Sequence, residues 1–256
     1  RPMQGDELLE AGFAFETVAF SVERAFQEAK LGAAGIDAGH YGDLADPTFL
    51  GHGALKAMHE SGISLLGQVH MTQRFRLHRA VRVEEPLTIA GMVTRIEAVP
   101  RGRRVWCRFS YCDRAGREVC ETERSGLRPD PARKRGPGGG SAPVPDEGGF
   151  ERIAEHQLTP EGVAAYSDDT LNAIHNDPEV AARYGFRAPI AAGLMGIHYY
   201  VAALAGDGMP ERLDLAIRFL RPMFWDDRLS LQRRNGRMRL VNPEGKPVSE
   251  AEYSLQ

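Results

Sequence analysis

Val105, Cys107, Phe109 and Tyr111 alternate with Arg104, Trp106, Arg108 and Ser110, an apolar–polar period of two that predicts a half-buried β-strand. Asp113 to Gly116 and Asn242 to Gly245 then read as hairpin turns between strands. A different period governs Leu194, Ile197, Val201 and Leu204, which recur near 3.6 residues and predict an apolar helix opening at Gly193-Leu194-Met195. Leu55, Met58 and Ile63 repeat that pattern more weakly earlier in the chain. One helix set against several antiparallel strands, met twice, makes the fold class α+β.

The two occurrences are related by a fixed offset. At 142 residues Pro47 matches Pro189, Gly51 matches Gly193, Arg76 and Arg79 match Arg218 and Arg221, Glu84-Glu85 matches Asp226-Asp227, and Leu87 matches Leu229. Nearer the ends the offset is 129, where Gly116, Val119, Glu121 and Glu123 match Gly245, Val248, Glu250 and Glu252. An offset sustained over so many positions reads as an internal repeat. Between the halves, residues 129–150 are rich in proline and glycine around Arg133-Lys134-Arg135 and read as a solvated linker. The expected organisation is therefore a first repeat over 1–128, the linker, and a second repeat over 151–256.

Composition narrows the picture. At 42% hydrophobic the 256-residue chain can build a sizeable core. A net charge of −3 supplies no general attraction to nucleic acid or to acidic membranes. Cys107, Cys112 and Cys120 form no CxxC pair and are odd in number, so free thiols in a reducing, cytoplasmic setting are expected. Residues 1–20 show no secretory leader, and the weakly polar run 188–205 reads as a buried helix rather than a membrane span. No phosphate-binding glycine loop, nucleophile elbow or metal-ligand set is present, so no metal is expected.

The candidate chemistry lies in Asn172-Ala173-Ile174-His175-Asn176-Asp177-Pro178, eighteen residues ahead of the Gly193 helix. A histidine supplies a general acid/base near neutral pH, and a helix start supplies free backbone N–H donors for a developing oxyanion. Asp168 and Asp169 stand just upstream as candidate carboxylates, Asp169 the stronger, with Thr170 beside them able to hydrogen-bond so as to hold the loop, a water or a substrate. Gly193 and Leu194 are the candidate oxyanion donors. His198, His52 and His59 read as core or interface histidines. Arg76, Arg79, Arg218 and Arg221 read as solvated strand positions or partners of Glu84, Glu85, Asp226 and Asp227.

These segments resemble the MaoC-like and R-specific enoyl-CoA hydratase family of the hotdog fold, in which an antiparallel sheet wraps a central helix. Asn172, Ile174, His175 and Ala181 match the family motif, and Ala188 to Met195 is similar to its Pro-Ile-Ala-His-Gly-Leu/Met segment. The resemblance implies a double hotdog whose second repeat carries the site, with His175, Asp169 and Asn172 as catalytic residues and Thr170, Gly193 and Leu194 at the substrate. Three positions depart from the motif. Thr170 stands where the family has its aspartate, so that Asp169 takes the role only if the loop shifts by one residue, and Ala173 and Ala192 replace a proline and a histidine. In the first half, Ala33 and Lys30 stand at the offset-142 counterparts of His175 and Asn172, so that half is expected to lack chemistry. The implied activity is reversible hydration of a trans-2-enoyl thioester of CoA or of a carrier protein. No cofactor is implied beyond the CoA or phosphopantetheine of the substrate, and a homodimer is compatible with the family. A non-catalytic acyl-thioester binder or partner subunit, or an acyl-CoA thioesterase, are the alternatives.

Overall fold

The computed structural model describes residues 4–5, 9–130, 148–170, 172–206 and 208–255. Short strands β1 (Gln4–Gly5) and β3 (Ile63–Ser64) pair with each other in parallel. The other strands are β2 (Val18–Phe20), β4 (Val69–Leu77), β5 (Leu87–Val99), β6 (Gly102–Cys112), β7 (Glu118–Pro129), β8 (Glu151–Gln157), β9 (Leu213–Phe219), β10 (Arg228–Arg234), β11 (Arg237–Val241) and β12 (Pro247–Leu255). They form one ten-stranded antiparallel sheet in the order β2-β5-β6-β7-β4-β9-β12-β11-β10-β8. The strand order read inward from one edge is matched, element for element in chain order, by the order read from the other. The halves meet where β4 pairs β9, and Arg74 of β4 clamps Asp214 of β9 there through bonds of 2.8 and 2.6 Å.

Cross-strand register accounts for both offsets found in the sequence. Arg76 lies opposite Glu121 across β4 and β7, and Arg218 lies opposite Glu250 across β9 and β12, each pair closed by an ion pair. The same contact is thus made once in each half. The change of offset falls in one hairpin: β5 and β6 have 13 and 11 residues, whereas β10 and β11 have 7 and 5. Both predicted turns close, with Gly116 N–H on Asp113 O and Gly245 N–H on Asn242 O at 2.9 Å, and with φ of 75° and 73° that favour glycine.

Two buried helices lie on the sheet, α2 (Thr48–Glu60) and α5 (Gly193–Ala205). Helix α5 is buried nearly all round, which its apolar sequence requires. Each helix is tethered by a tyrosine: Tyr111 of β6 donates to Leu50 O of α2, and Tyr200 of α5 takes up Leu240 N–H of β11 at 3.0 Å and Ser249 Oγ of β12 at 2.7 Å. The helices touch where Gly51 faces Leu194; a Cβ on Gly51 would sit 2.8 Å from the leucine. The β6 alternation buries Val105, Cys107, Phe109 and Tyr111 as predicted, while Trp106 on the opposite face lies under the guanidinium groups of Arg95 and Arg104.

Several expectations are corrected. Ile63 lies beyond α2 in β3, because the chain turns at Gly62 with a φ of 80°. His59 is exposed rather than internal. Asp226 and Asp227 pair with Arg187, and Arg221 donates to Pro247 O; only Arg79–Glu85 joins the predicted partners. The linker reading falls, for 131–147, outside the described residues, and Pro129 closes β7. All three cysteines are free. No described helix is long and apolar enough to cross a membrane.

Candidate active site

Helix α3 (Pro160–Tyr166) leads into the candidate loop. Thr159 caps it, accepting from Gly162 N–H at 3.0 Å, and Pro160 fills the first turn where no N–H is needed. It packs on the C-terminal end of α1 (Arg24–Ala33) at Gly162, where a Cβ would stand 2.5 Å from Ala33 O. A carbonyl held in a helix cannot yield as a side chain does, so Gly162→Ala is expected to cost about 1–3 kcal/mol, read as a lower Tm than the wild type.

Beyond Tyr166 the chain makes a tight turn in which Thr170 returns both its N–H, at 3.1 Å, and its hydroxyl, at 2.8 Å, to Ser167 O. Thr170 therefore fastens the turn. Asp168 and Asp169 both face Lys30 of α1, each with Oδ1 2.6 Å from the ammonium. Neither carboxylate is hydrogen-bonded to His175. Asn172 precedes a single 3₁₀ turn (Ala173–His175); its side chain caps nothing, and its Oδ1 is buried without a partner among the described residues. Asp177 then caps α4 (Pro178–Arg183) through Glu179 and Val180 N–H.

His175 is tied to the strand-like segment that enters α5. Its Nδ1–H donates to Ile190 O at 2.7 Å, while Ile190 N–H donates back to Ile174 O at 3.1 Å. Ile190 also bridges Phe224, and Ala191 N–H bonds Met223 O, so the segment is itself braced. With Nδ1 carrying the proton, Nε2 carries a lone pair. Burial disfavours the imidazolium and lowers the pKa of His175 below the ordinary 6.5, the bond to Ile190 O partly opposing it. This ring is a neutral base at neutral pH.

Three residues past Ile190, α5 begins with no side-chain cap from Ala192, which leaves the first N–H groups at Gly193 and Leu194 as donors. Gly193 is also required by packing: a Cβ there would lie 3.0 Å from the Phe219 ring and 3.3 Å from His70 Nδ1. The Leu194 side chain is core, packed on Gly51, so any part it plays toward a ligand is through its backbone. The structure thus ties His175 to Ile190, three residues ahead of the α5 start, and holds Asp169 and Thr170 in a separate turn. Among the described residues no cluster of side chains is arranged to hold a metal ion.

Sequence reasoning passed over Lys30, Asp46 and Tyr166. The signal for Lys30 is its spacing: it falls on the buried face of α1 with Gln27 and Leu31. It sits inside that helix, and α1 starts at Arg24 where α3 starts at Pro160, so the 142 offset that equated Lys30 with Asn172 does not extend this far.

No family model matches the chain, and no curated protein matches it in sequence. Solved structures do match it in fold. HtdX from Mycobacterium tuberculosis superposes with a TM-score of 0.77 at 18% identity over 94% of this chain and 99% of that one. A MaoC-like dehydratase from Phytophthora capsici gives 0.72 at 17% identity over 98% and 99%. A Mycobacterium tuberculosis protein with a double hotdog fold gives 0.66 at 17% identity over 97% of each. The chain has the hotdog fold of the MaoC-like proteins.

Proposed function

We propose that the chain is a double hotdog acting on acyl thioesters as a hydratase or dehydratase, with its chemistry in the second repeat, residues 151–256. The observation that carries this reading is the oriented, neutral His175, anchored to the segment that delivers the uncapped start of α5. In the hydration direction Nε2 removes a proton from water as the water oxygen bonds the β-carbon of a trans-2-enoyl thioester. The alkene electron pair shifts to form a double bond between the α-carbon and the carbonyl carbon as the carbonyl pair moves onto the thioester oxygen, where N–H groups at Gly193 and Leu194 stabilise the enolate; one such donor contributes about 2.7–4 kcal/mol. The imidazolium then returns a proton to the α-carbon as the enolate collapses, so atoms and charge balance through one base. In this scheme Asn172 orients the water, a role supported by its buried Oδ1 without a partner among the described residues. No metal or redox group enters this scheme, and CoA or a carrier pantetheine is part of the substrate.

The test is loss of the conjugated enoyl-thioester absorbance on adding purified protein to a series of enoyl-CoAs, against a His175→Ala control; no difference between the two refutes the reading. Because the base must be unprotonated, kcat/KM is expected to rise with pH through a value below 6.5 and then stay level, with no second, alkaline limb. A bell-shaped profile would show that a separate acid takes part.

The engagement of Asp169 by Lys30, with Thr170 at the family aspartate's position, favours one second reading, a binder of acyl thioesters without turnover. It predicts unchanged ligand affinity in His175→Ala and no hydration by the wild type.

A further inference from the structure

Lys30 belongs to the first half of the chain, yet it grips the loop of the second. It is 3% exposed. Its ammonium donates to Tyr166 O at 2.8 Å and Ala165 O at 3.3 Å, the carbonyls left open at the end of α3, and to Asp168 and Asp169 at 2.6 Å each. The other end of Tyr166 is held as well. Its hydroxyl is hydrogen-bonded to His198 Nε2 at 2.8 Å and to His52 Nε2 at 3.1 Å, and His198 Nδ1 donates to Asp46 at 2.6 Å. Tyr166 therefore has its carbonyl and its hydroxyl fixed by groups of which Lys30, His52 and Asp46 all come from the first half.

We infer that Lys30 is a positioning residue of the proposed hydratase, setting the loop that runs from Tyr166 to His175 through its bonds to Tyr166 and Asp169. This rests on the reading of His175 as the base. Two physical points carry it. The ammonium is buried but its partners Asp168 and Asp169 are 70% and 44% exposed, so solvent screens the ion pairs and they add little net stability; what four oxygens converging on one ammonium confer is a single geometry. A carboxylate in that ion pair is also an acceptor and not a proton donor, so Asp169 serves as the anchor of the loop, and proton transfer is left to His175.

The test compares wild type, Lys30→Met and Asp169→Asn by NMR titration of the His175 imidazole, hydrogen exchange of amides 167–176, and steady-state hydration. In Lys30→Met, exchange in the loop is expected to quicken at least about tenfold, the His175 resonance and its midpoint to move, and kcat to fall about 10²-fold, as displacement of a reacting group by an ångström does, with KM changed far less. Asp169→Asn is expected to move the same readouts in the same direction while keeping about a tenth or more of kcat, since it loosens the anchor without removing the base. Loop exchange and His175 titration identical to wild type in Lys30→Met would overturn the inference, as would loss of turnover in Asp169→Asn as deep as in His175→Ala, which would make Asp169 the acid. If Lys30→Met does not fold, Asp169→Asn decides alone, because its carboxylate is 44% exposed and its change leaves the core intact. A wild type that does not turn over would refute the hydratase reading, while exchange and titration still decide the clamp.

Discussion

His175→Ala is expected to lower kcat for hydration by about 10²–10⁴-fold, the range spanned by positioned general acid–base groups. Donation of Nδ1–H to Ile190 O fixes which nitrogen carries the lone pair, so the ring cannot rotate without breaking that bond, and Ile190 is itself held to Ile174. Burial lowers the pKa of the imidazole below 6.5, so the unprotonated, competent form predominates at neutral pH. Removing it takes away an interaction made only as the proton moves, so kcat and kcat/KM should fall together and KM should stay near its wild-type value. Steady-state kinetics on a variant whose Tm is close to wild type checks this. A loss under tenfold would mean that another group accepts the proton.

The largest effect on stability is expected from Asp46→Ala, at about 3–5 kcal/mol, the cost of removing one partner of a buried pair. Asp46 and His198 are both 0% exposed at the side chain. The carboxylate also accepts Tyr41 O–H at 3.0 Å and Thr48 N–H at 2.8 Å, so its loss strands three donors in the core. Urea unfolding of the two proteins measures the difference; one below about 1 kcal/mol would show that water or a neighbour replaces the carboxylate. The pH dependence has a defined sign. Burial raises the pKa of Asp46, but the charge and hydrogen bond of His198 and the bond from Thr48 N–H outweigh it, and the folded value lies below the ordinary 3.8. Its stabilisation is therefore complete above that value and lost as pH falls through the lower folded one. The wild type should lose stability in that acid window more steeply than Asp46→Ala.

Partner choice is where sequence and structure part. The alternation over Arg104–Tyr111, the two glycine turns and the α5 periodicity each follow from rules that act over a few residues, and all three appear as read. The matched spacing of Arg76 and Glu121 with Arg218 and Glu250 reappears as an ion pair in each half. The helix-spaced reading that took in Ile63 failed because a positive-φ glycine overrides periodicity. Arg76, Arg79 and Arg218 keep solvated side chains, and of the acidic partners offered for them only Glu85 is met, since an exposed charge takes whichever opposite charge the register sets beside it.

By itself the chain's pattern determined the antiparallel strands, the glycine turns and the two buried helices, all of which depend on periods and turns written locally. Only the tertiary structure decided that Asp169 is held by Lys30, 139 residues away, and that His198 meets Asp46 across 152. A polar side chain satisfies itself with whatever donor or acceptor the folded backbone carries to it in the dry interior, and no local spacing encodes that meeting.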